Sequence, residues 1–220
     1  MSHKNKTLIW DLPLRIFHWA LALLTGYAWY SVEVLGDLEQ HFLTGYAILT
    51  LLIFRVAWGF VGSRHARFAS FVRGPAAIRA YLRGETAVGS YPGHNPLGAL
   101  SVILMLVVIG AQATTGLFSD DQEFFFGPLS GYVSGDTVSR ITEFHHFNFN
   151  VIMAVVVLHV LAIIYYSLVK KQRLVPAMVT GRKEDPDQAL PGISGSKLLA
   201  ALVVLVIAAA AVFGISTLGS

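Results

Sequence analysis

The run HHFNFNVIMAVVVLH, residues 145–159, sets a histidine at each end of an apolar stretch that contains no acid and no base. Read as a helix, the fourteen steps from His145 to His159 turn through about 1400°, which leaves the two imidazoles within about 40° of each other. The same steps climb about 21 Å, most of the hydrocarbon thickness of a bilayer. From His146 the offset to His159 is thirteen steps, about 220° round, so His146 faces the other way. A buried helix with polar ends accounts for one such histidine. Two on one face, one near each membrane surface, ask for partners elsewhere in the chain.

Composition fits a membrane setting. Of 220 residues, 55% are hydrophobic and only 13% are charged, far from an ordinary soluble domain. The chain reads as an all-α integral membrane protein embedded in a lipid bilayer. It contains no cysteine, which excludes disulfides, covalent CxxCH haem attachment, iron–sulfur clusters and thiolate metal sites together. A net charge of +3 in so apolar a chain speaks through its distribution over loops, and gives no case for nucleic acid.

Five stretches are long and apolar enough to span: Leu14 to Val34, Phe42 to Val61, Leu97 to Phe118, His146 to Val169 and Leu198 to Leu218. Lipid forces each to be a helix, because the backbone must satisfy itself there. The first follows Lys4 and Lys6 and shows no small-residue cleavage site, so it reads as a retained signal anchor. Arg64, Arg67, Arg73, Arg79 and Arg83 lie between the second and third spans, and Lys170, Lys171, Arg173, Arg182, Lys183 and Lys197 between the fourth and fifth. The other loops collect Glu33, Asp37, Glu39, Asp120, Asp121, Glu123, Asp136 and Glu143 against Arg140 alone. The positive-inside rule then places the N-terminus in the cytoplasm and the C-terminus in the periplasm of a bacterial inner membrane. Residues 1–183 form the expected four-helix domain, 184–196 a Pro/Gly/Ser-rich linker, and 197–220 a fifth, C-terminal transmembrane helix without ionisable groups in its apolar run.

Two connections have their own character. The segment SRHARFASFVRGPAAIRAYLRG, residues 63–84, interleaves arginines with Phe68, Phe71, Ile78, Tyr81 and Leu82, as expected of short helices at an anionic membrane surface. The acidic segment from Ser119 to Thr142 contains Phe124, Phe125, Phe126, Gly127 and Pro128, a structured turn that either caps a cofactor or faces a partner. His3, His65 and His94 lie outside the spans and read as solvated or structural.

By depth the remaining histidines sort into two pairs, His18 with His159 on the inner side and His41 with His145 on the outer side. Each pair can clamp one haem iron from both faces, filling its coordination and leaving electron transfer as the expected chemistry. Intramembrane ionisable groups are costly without such a function. Gly45, four residues after His41, clears that helix face for a porphyrin plane. Arg55 shares the face of His41 at the inner level, and Arg15 lies three residues before His18. Haem propionates would pair with both arginines; snorkelling to the headgroups accounts for them equally.

The runs WDLPLRIFHWALALL, HFLTGYAILTLLIFRVAWGFVGSRHARF, GHNPLGALS and HHFNFNVIMAVVVLH, with the tail LVPAMVTGRK, together resemble the prokaryotic di-haem cytochrome b family. That family includes cytochrome b561 proteins and the b-type cytochrome subunits of nickel–iron hydrogenases. The resemblance covers roughly residues 8–183. It implies a four-helix bundle holding two low-spin, bis-histidine haems b, with His18, His41, His145 and His159 at the ligand positions. It also implies electron transfer between a periplasmic redox partner, a hydrogenase or a c-type cytochrome, and the membrane quinone pool. The fifth helix departs from the family's four-helix core, and the outer loops are short for gripping a large hydrogenase. A second reading is a self-contained oxidoreductase such as a superoxide:quinone oxidoreductase; the carboxylates Asp120, Asp121 and Glu123 oppose an anionic substrate arriving from outside. A metal or proton transporter ranks last, since the helix interiors lack the carboxylates and soft ligands such a path uses.

Overall fold

A computed structural model describes residues 6–86, 90–121, 123, 125–184, 191–193 and 197–218. His3, Lys4, Phe124 and most of the expected linker (185–190 and 194–196) lie outside the described residues. Five long helices carry the chain: α1 (Leu12–Glu33), α2 (Leu38–Val61), α5 (Pro96–Gly116), α6 (Gly135–Leu168) and α8 (Leu198–Ser216). Short helices α3 (Phe68–Phe71) and α4 (Pro75–Leu82) follow α2, and α7 (Leu174–Thr180) follows α6. Strands β1 (Lys6–Leu8) and β2 (Arg182–Glu184) pair antiparallel, with Thr7 opposite Lys183.

Local chemistry sets the helix starts. Asp11 accepts from the backbone N–H of Leu14 at 2.7 Å, Asp37 from that of Gln40 at 2.9 Å, and Asn95 from that of Gly98 at 2.7 Å. Each is a short polar side chain satisfying an orphan donor of the first turn. The second oxygen of Asp11 accepts from Trp58 Nε1 at 3.0 Å, tying the start of α1 to the end of α2. Lys197 closes that end, donating to the carbonyls of Val61 and Gly62 at 2.9 and 3.0 Å, where a cation meets a helix C-terminus. α7 stops at Gly181, whose φ of +77° ends the helix in the left-handed region. Its carbonyl then accepts from the N–H groups of Ile9 and Trp10, which docks the chain after α7 onto the chain before α1.

The distribution of polarity is inverted relative to a soluble protein. Leu199 is 75% exposed and Phe213 71%, while Arg55 is 1% exposed and Asn148 4%. Apolar surface on this scale is stable against lipid and a liability in water. Helices α2, α5, α6 and α8 are each long and apolar enough to cross a membrane. α1 matches them in length, with 22 residues, but carries Arg15, His18 and Glu33 and does not reach their hydropathy. The chain is therefore a helical integral membrane protein whose described residues include four helices long and apolar enough to cross a membrane.

Three features differ from the sequence reading. α6 starts at Gly135, eleven residues before the expected boundary, because Ser134 accepts from the N–H of Thr137 and a polar helical stretch precedes the apolar one. At 34 residues α6 is about 51 Å long, well beyond a hydrocarbon core of about 30 Å. α8, which the polar linker was expected to detach, packs within unit two: Val212 meets Leu49 of α2 and Leu117, flanked by Tyr46, Ala113 and Ile215. Arg55 does not snorkel, since its side chain is buried.

Contacts divide the chain into two compact units. Unit one comprises Met1–Ile16, Val56–Leu104 and Val156–Ala201; unit two comprises Phe17–Arg55, Met105–Val155 and Leu202–Ser220. Unit one is built around Trp58, Ile9 and Ala66, all fully buried, and contains the β1–β2 ribbon and the short helices. Unit two holds the cluster around Leu49, Leu117 and Val212.

Candidate functional site

Unit two encloses a cavity of about 870 Å³ between its stretches of α1, α2, α5 and α6. That volume stands toward the upper end of cofactor pockets, about 300–1,000 Å³. His41 and His145 both line it, from α2 and α6, with ring centroids 6.1 Å apart and planes 80° to each other. Phe42, Gly45 and Tyr46 continue the α2 wall, and Gln112, Gly116 and Leu117 form the α5 wall.

The hydrogen bonds on the two imidazoles decide what they offer. His41 Nδ1 lies 2.9 Å from the carbonyl oxygen of Ala28, an acceptor only, so this nitrogen carries the proton. His145 Nδ1 lies 3.0 Å from Thr115 Oγ1. The Thr115 hydroxyl proton is directed to the carbonyls of Ala111 and Gln112, at 2.7 and 3.0 Å, which leaves the oxygen to accept from His145. Both rings are thereby held in the tautomer whose Nε2 lone pair is free for a metal, the usual function of a partner on the other ring nitrogen. Asn148, three residues after His145, donates through Nδ2 to the carbonyl of Val108 at 2.9 Å and to Gln112 Oε1 at 2.8 Å. These bonds lock α6 in register against α5. At Gly116 a β-carbon would stand 3.2 Å from His145 Cε1, so this glycine lets the ring approach α5.

The acidic loop folds over the same cavity. Asp121 accepts from the N–H groups of Glu123 and Phe125 at 3.0 and 2.9 Å, and Gly127 N–H donates to the carbonyl of Ser119 at 2.8 Å. Phe125 stacks on Phe42 with centroids 6.2 Å apart, and both side chains line the cavity with Asp120 and Asp121. Three carboxylates, with Glu33, and no lysine or arginine stand among the lining residues.

The sequence-derived residues distribute as follows. His41, His145 and Gly45 meet at one cavity, and a β-carbon built on Gly45 would meet nothing within 4 Å. His146 also borders the cavity, at its exposed rim, with its ring 6.3 Å from that of His145. His18, half-buried in unit two, stands edge-on to Trp19 at 5.0 Å; His159, half-buried on α6, belongs to unit one. The pair His18 and His159 is thus not a feature of either unit alone. Arg15 donates to the carbonyl of Val179 in unit one, and neither Arg15 nor Arg55 lines the unit-two cavity. Sequence reasoning missed Thr115, Gly116 and the Ala28 carbonyl. Thr115 left a trace as a hydroxyl near the end of an apolar run; a backbone carbonyl leaves none.

Two imidazole nitrogens are an incomplete set for a bare ion, and no cluster of three or more His, Cys, Asp or Glu able to hold one occurs among the described residues. They would suit a haem group, which brings most of its iron's donors with it. The class defined by this fold and cavity is a helical membrane cytochrome. The chain belongs to the prokaryotic cytochrome b561 family, which matches residues 9–181. Among its relatives, the probable Ni/Fe-hydrogenase B-type cytochrome subunit of Azotobacter vinelandii is 29% identical over 209 residues, covering 79% of this chain and 86% of the relative. The corresponding proteins of Rhodobacter capsulatus and Escherichia coli are each 24% identical, covering 86% and 79% of this chain and 86% and 88% of their own lengths. No solved structure matches the chain significantly. Membership makes the protein a membrane-bound b-type cytochrome whose cofactor is haem b and whose work is electron transfer, and the cavity's donors, tautomers and smooth Gly45 face fit that group.

Proposed function

We propose that the chain holds two low-spin haems b, one between His41 and His145 and one between His18 and His159, and conducts electrons across the membrane. The observation that supports the first site is the His41–His145 pair, with ring centroids 6.1 Å apart across a cavity and both Nδ1 atoms already engaged; the second rests on the positions of His18 and His159 in the sequence. Haem iron, when bound, supplies one-electron redox chemistry. The protein's own groups do the rest. Ala28 and Thr115 hold the imidazoles in place and in one tautomer, Gly45 and Gly116 clear space, and the Phe42–Phe125 stack shields the site from water. Two imidazoles on one iron leave no open position, which favours electron transfer over chemistry on a bound substrate.

The excess of lysine and arginine in residues 62–95 and 170–197 supports a cytoplasmic N-terminus and a periplasmic C-terminus in the bacterial inner membrane, given five crossings. The unit-two cavity, with its carboxylate rim, then opens toward the periplasm. The probable Ni/Fe-hydrogenase cytochrome subunits among the relatives support a hydrogenase as the redox partner there; a c-type cytochrome with a positively charged face would complement Asp120, Asp121 and Glu33 equally. Membrane quinone is the second partner. The carboxylates at the cavity weigh against an anionic small substrate such as superoxide. Anaerobic mixing of the purified, haem-loaded protein with a short-chain quinol tests the assignment. Reduction of the haem bands is expected, and fully loaded protein that no quinol or quinone reduces or oxidises contradicts the quinone connection. Copurification from gently solubilised membranes identifies the periplasmic partner.

A further inference from the structure

A second cavity, of about 350 Å³, lies wholly in unit one. Its wall comes from the chain after α2 and the chain before α5, and includes Arg64, His65, Phe71, Arg73, Tyr91 and His94. Two guanidiniums and two imidazoles line it, and among the described residues no carboxylate does. His65 is buried and donates from Nε2 to the carbonyl of Pro191 at 2.6 Å. The ring of His94 packs against Trp10 at 4.6 Å and Phe71 at 5.0 Å. Lys183 Nζ donates to the carbonyl of Tyr91 at 2.8 Å, holding that stretch of the wall. These contacts hold the buried part of the wall, while Arg64 and Arg73 are exposed.

We propose that this cavity binds a phosphate group, carried either by the headgroup of an anionic lipid or by a small soluble phosphate ester. Arginine forks match phosphate oxygens in geometry and charge, and basic pockets beside membrane helices take anionic headgroups. The cavity is under half the volume of the one in unit two, too small for a porphyrin and sized for a phosphoglycerol unit with its acyl chains left outside. Tyr91, Pro92 and Gly93 give the ester's carbon skeleton an apolar wall. The site is separate from the haem assignment and stands whether or not that assignment holds.

Native mass spectrometry of the full haem-loaded chain tests it, using phosphatidylglycerol, phosphatidylcholine, inorganic phosphate and glycerol 3-phosphate as probes. Phosphatidylglycerol is expected to bind in preference to phosphatidylcholine, and the double variant Arg64→Gln/Arg73→Gln to weaken that binding about tenfold. Arg79→Gln/Arg83→Gln removes the same charge outside the cavity and is expected to cost about twofold. Loss of phosphatidylglycerol in the first variant without competition by the soluble phosphates assigns a lipid. Displacement by glycerol 3-phosphate, with no preference between lipids, assigns a soluble ester. Equal weakening by the two double variants, or no weakening of any phosphate probe by the first, overturns the proposal. Haem absorbance of each variant checks that it has folded, and Arg73→Gln alone serves if the double variant has not.

Discussion

Both cavities present histidines, yet they are built for different work. In unit two, His41 and His145 spend Nδ1 on Ala28 and Thr115 and keep Nε2 for the cavity, beside carboxylates and without a cation. In unit one, His65 spends Nε2 on the Pro191 carbonyl and His94 is packed between Trp10 and Phe71, beside two arginines. The two pairs differ in which ring nitrogen is already engaged and in the charge around it. A count of histidines does not make that distinction.

The contrast can be broken most sharply at the ligands. His145→Ala or His41→Ala is expected to remove one haem of the two per chain. His146→Ala is expected to spare both, because its ring stands at the exposed rim. His65→Ala and His94→Ala should likewise leave haem content unchanged, and loss of haem in either would erase the distinction between the cavities. Gly45→Leu comes next. Its side chain would project into open cavity space, so most of the unit-two haem is expected to be lost while the fold, followed by circular dichroism, persists.

A smaller effect is expected from Thr115→Val, which keeps the shape and removes the acceptor for His145 Nδ1–H. Partners of this kind are worth about 10- to 100-fold in metal affinity, so haem should transfer to apomyoglobin about tenfold faster from the variant. Unchanged haem retention would show that Thr115 does not position the ligand. Asp11→Ala acts in unit one alone. It removes the α1 cap and the partner of Trp58, and is expected to cost about 1–2 kcal/mol of stability in a detergent thermal melt. The spectrum of the unit-two haem should not change, and a changed spectrum would tie the two regions more closely than this contrast allows.

Much of this was legible in the sequence because lipid leaves few choices. Twenty apolar residues in a row mean a helix, and a helical pitch then fixes which histidines share a face. The long apolar helices are readable for that reason. The early start of α6 was not, because residues 135–145 carry no hydropathy signal and depend on the Ser134 cap. Nor were the Nδ1 partners, since Ala28 contributes a backbone oxygen and Thr115 is one hydroxyl among several. The β1–β2 ribbon and the Gly181 junction join residues more than 170 positions apart, and local pattern does not encode such contacts. The docking of α8 was hidden as well, because a uniformly apolar helix shows no preferred face.

The central claim, that His41 and His145 hold one of two haems b, is tested most directly by haem stoichiometry. Reduced-minus-oxidised spectra and pyridine haemochrome quantification on the purified chain, wild type beside His145→Ala, give the number. Two low-spin haems b per wild-type chain and one in the variant are expected. One haem in both proteins, or a folded wild-type chain with none, would contradict the claim.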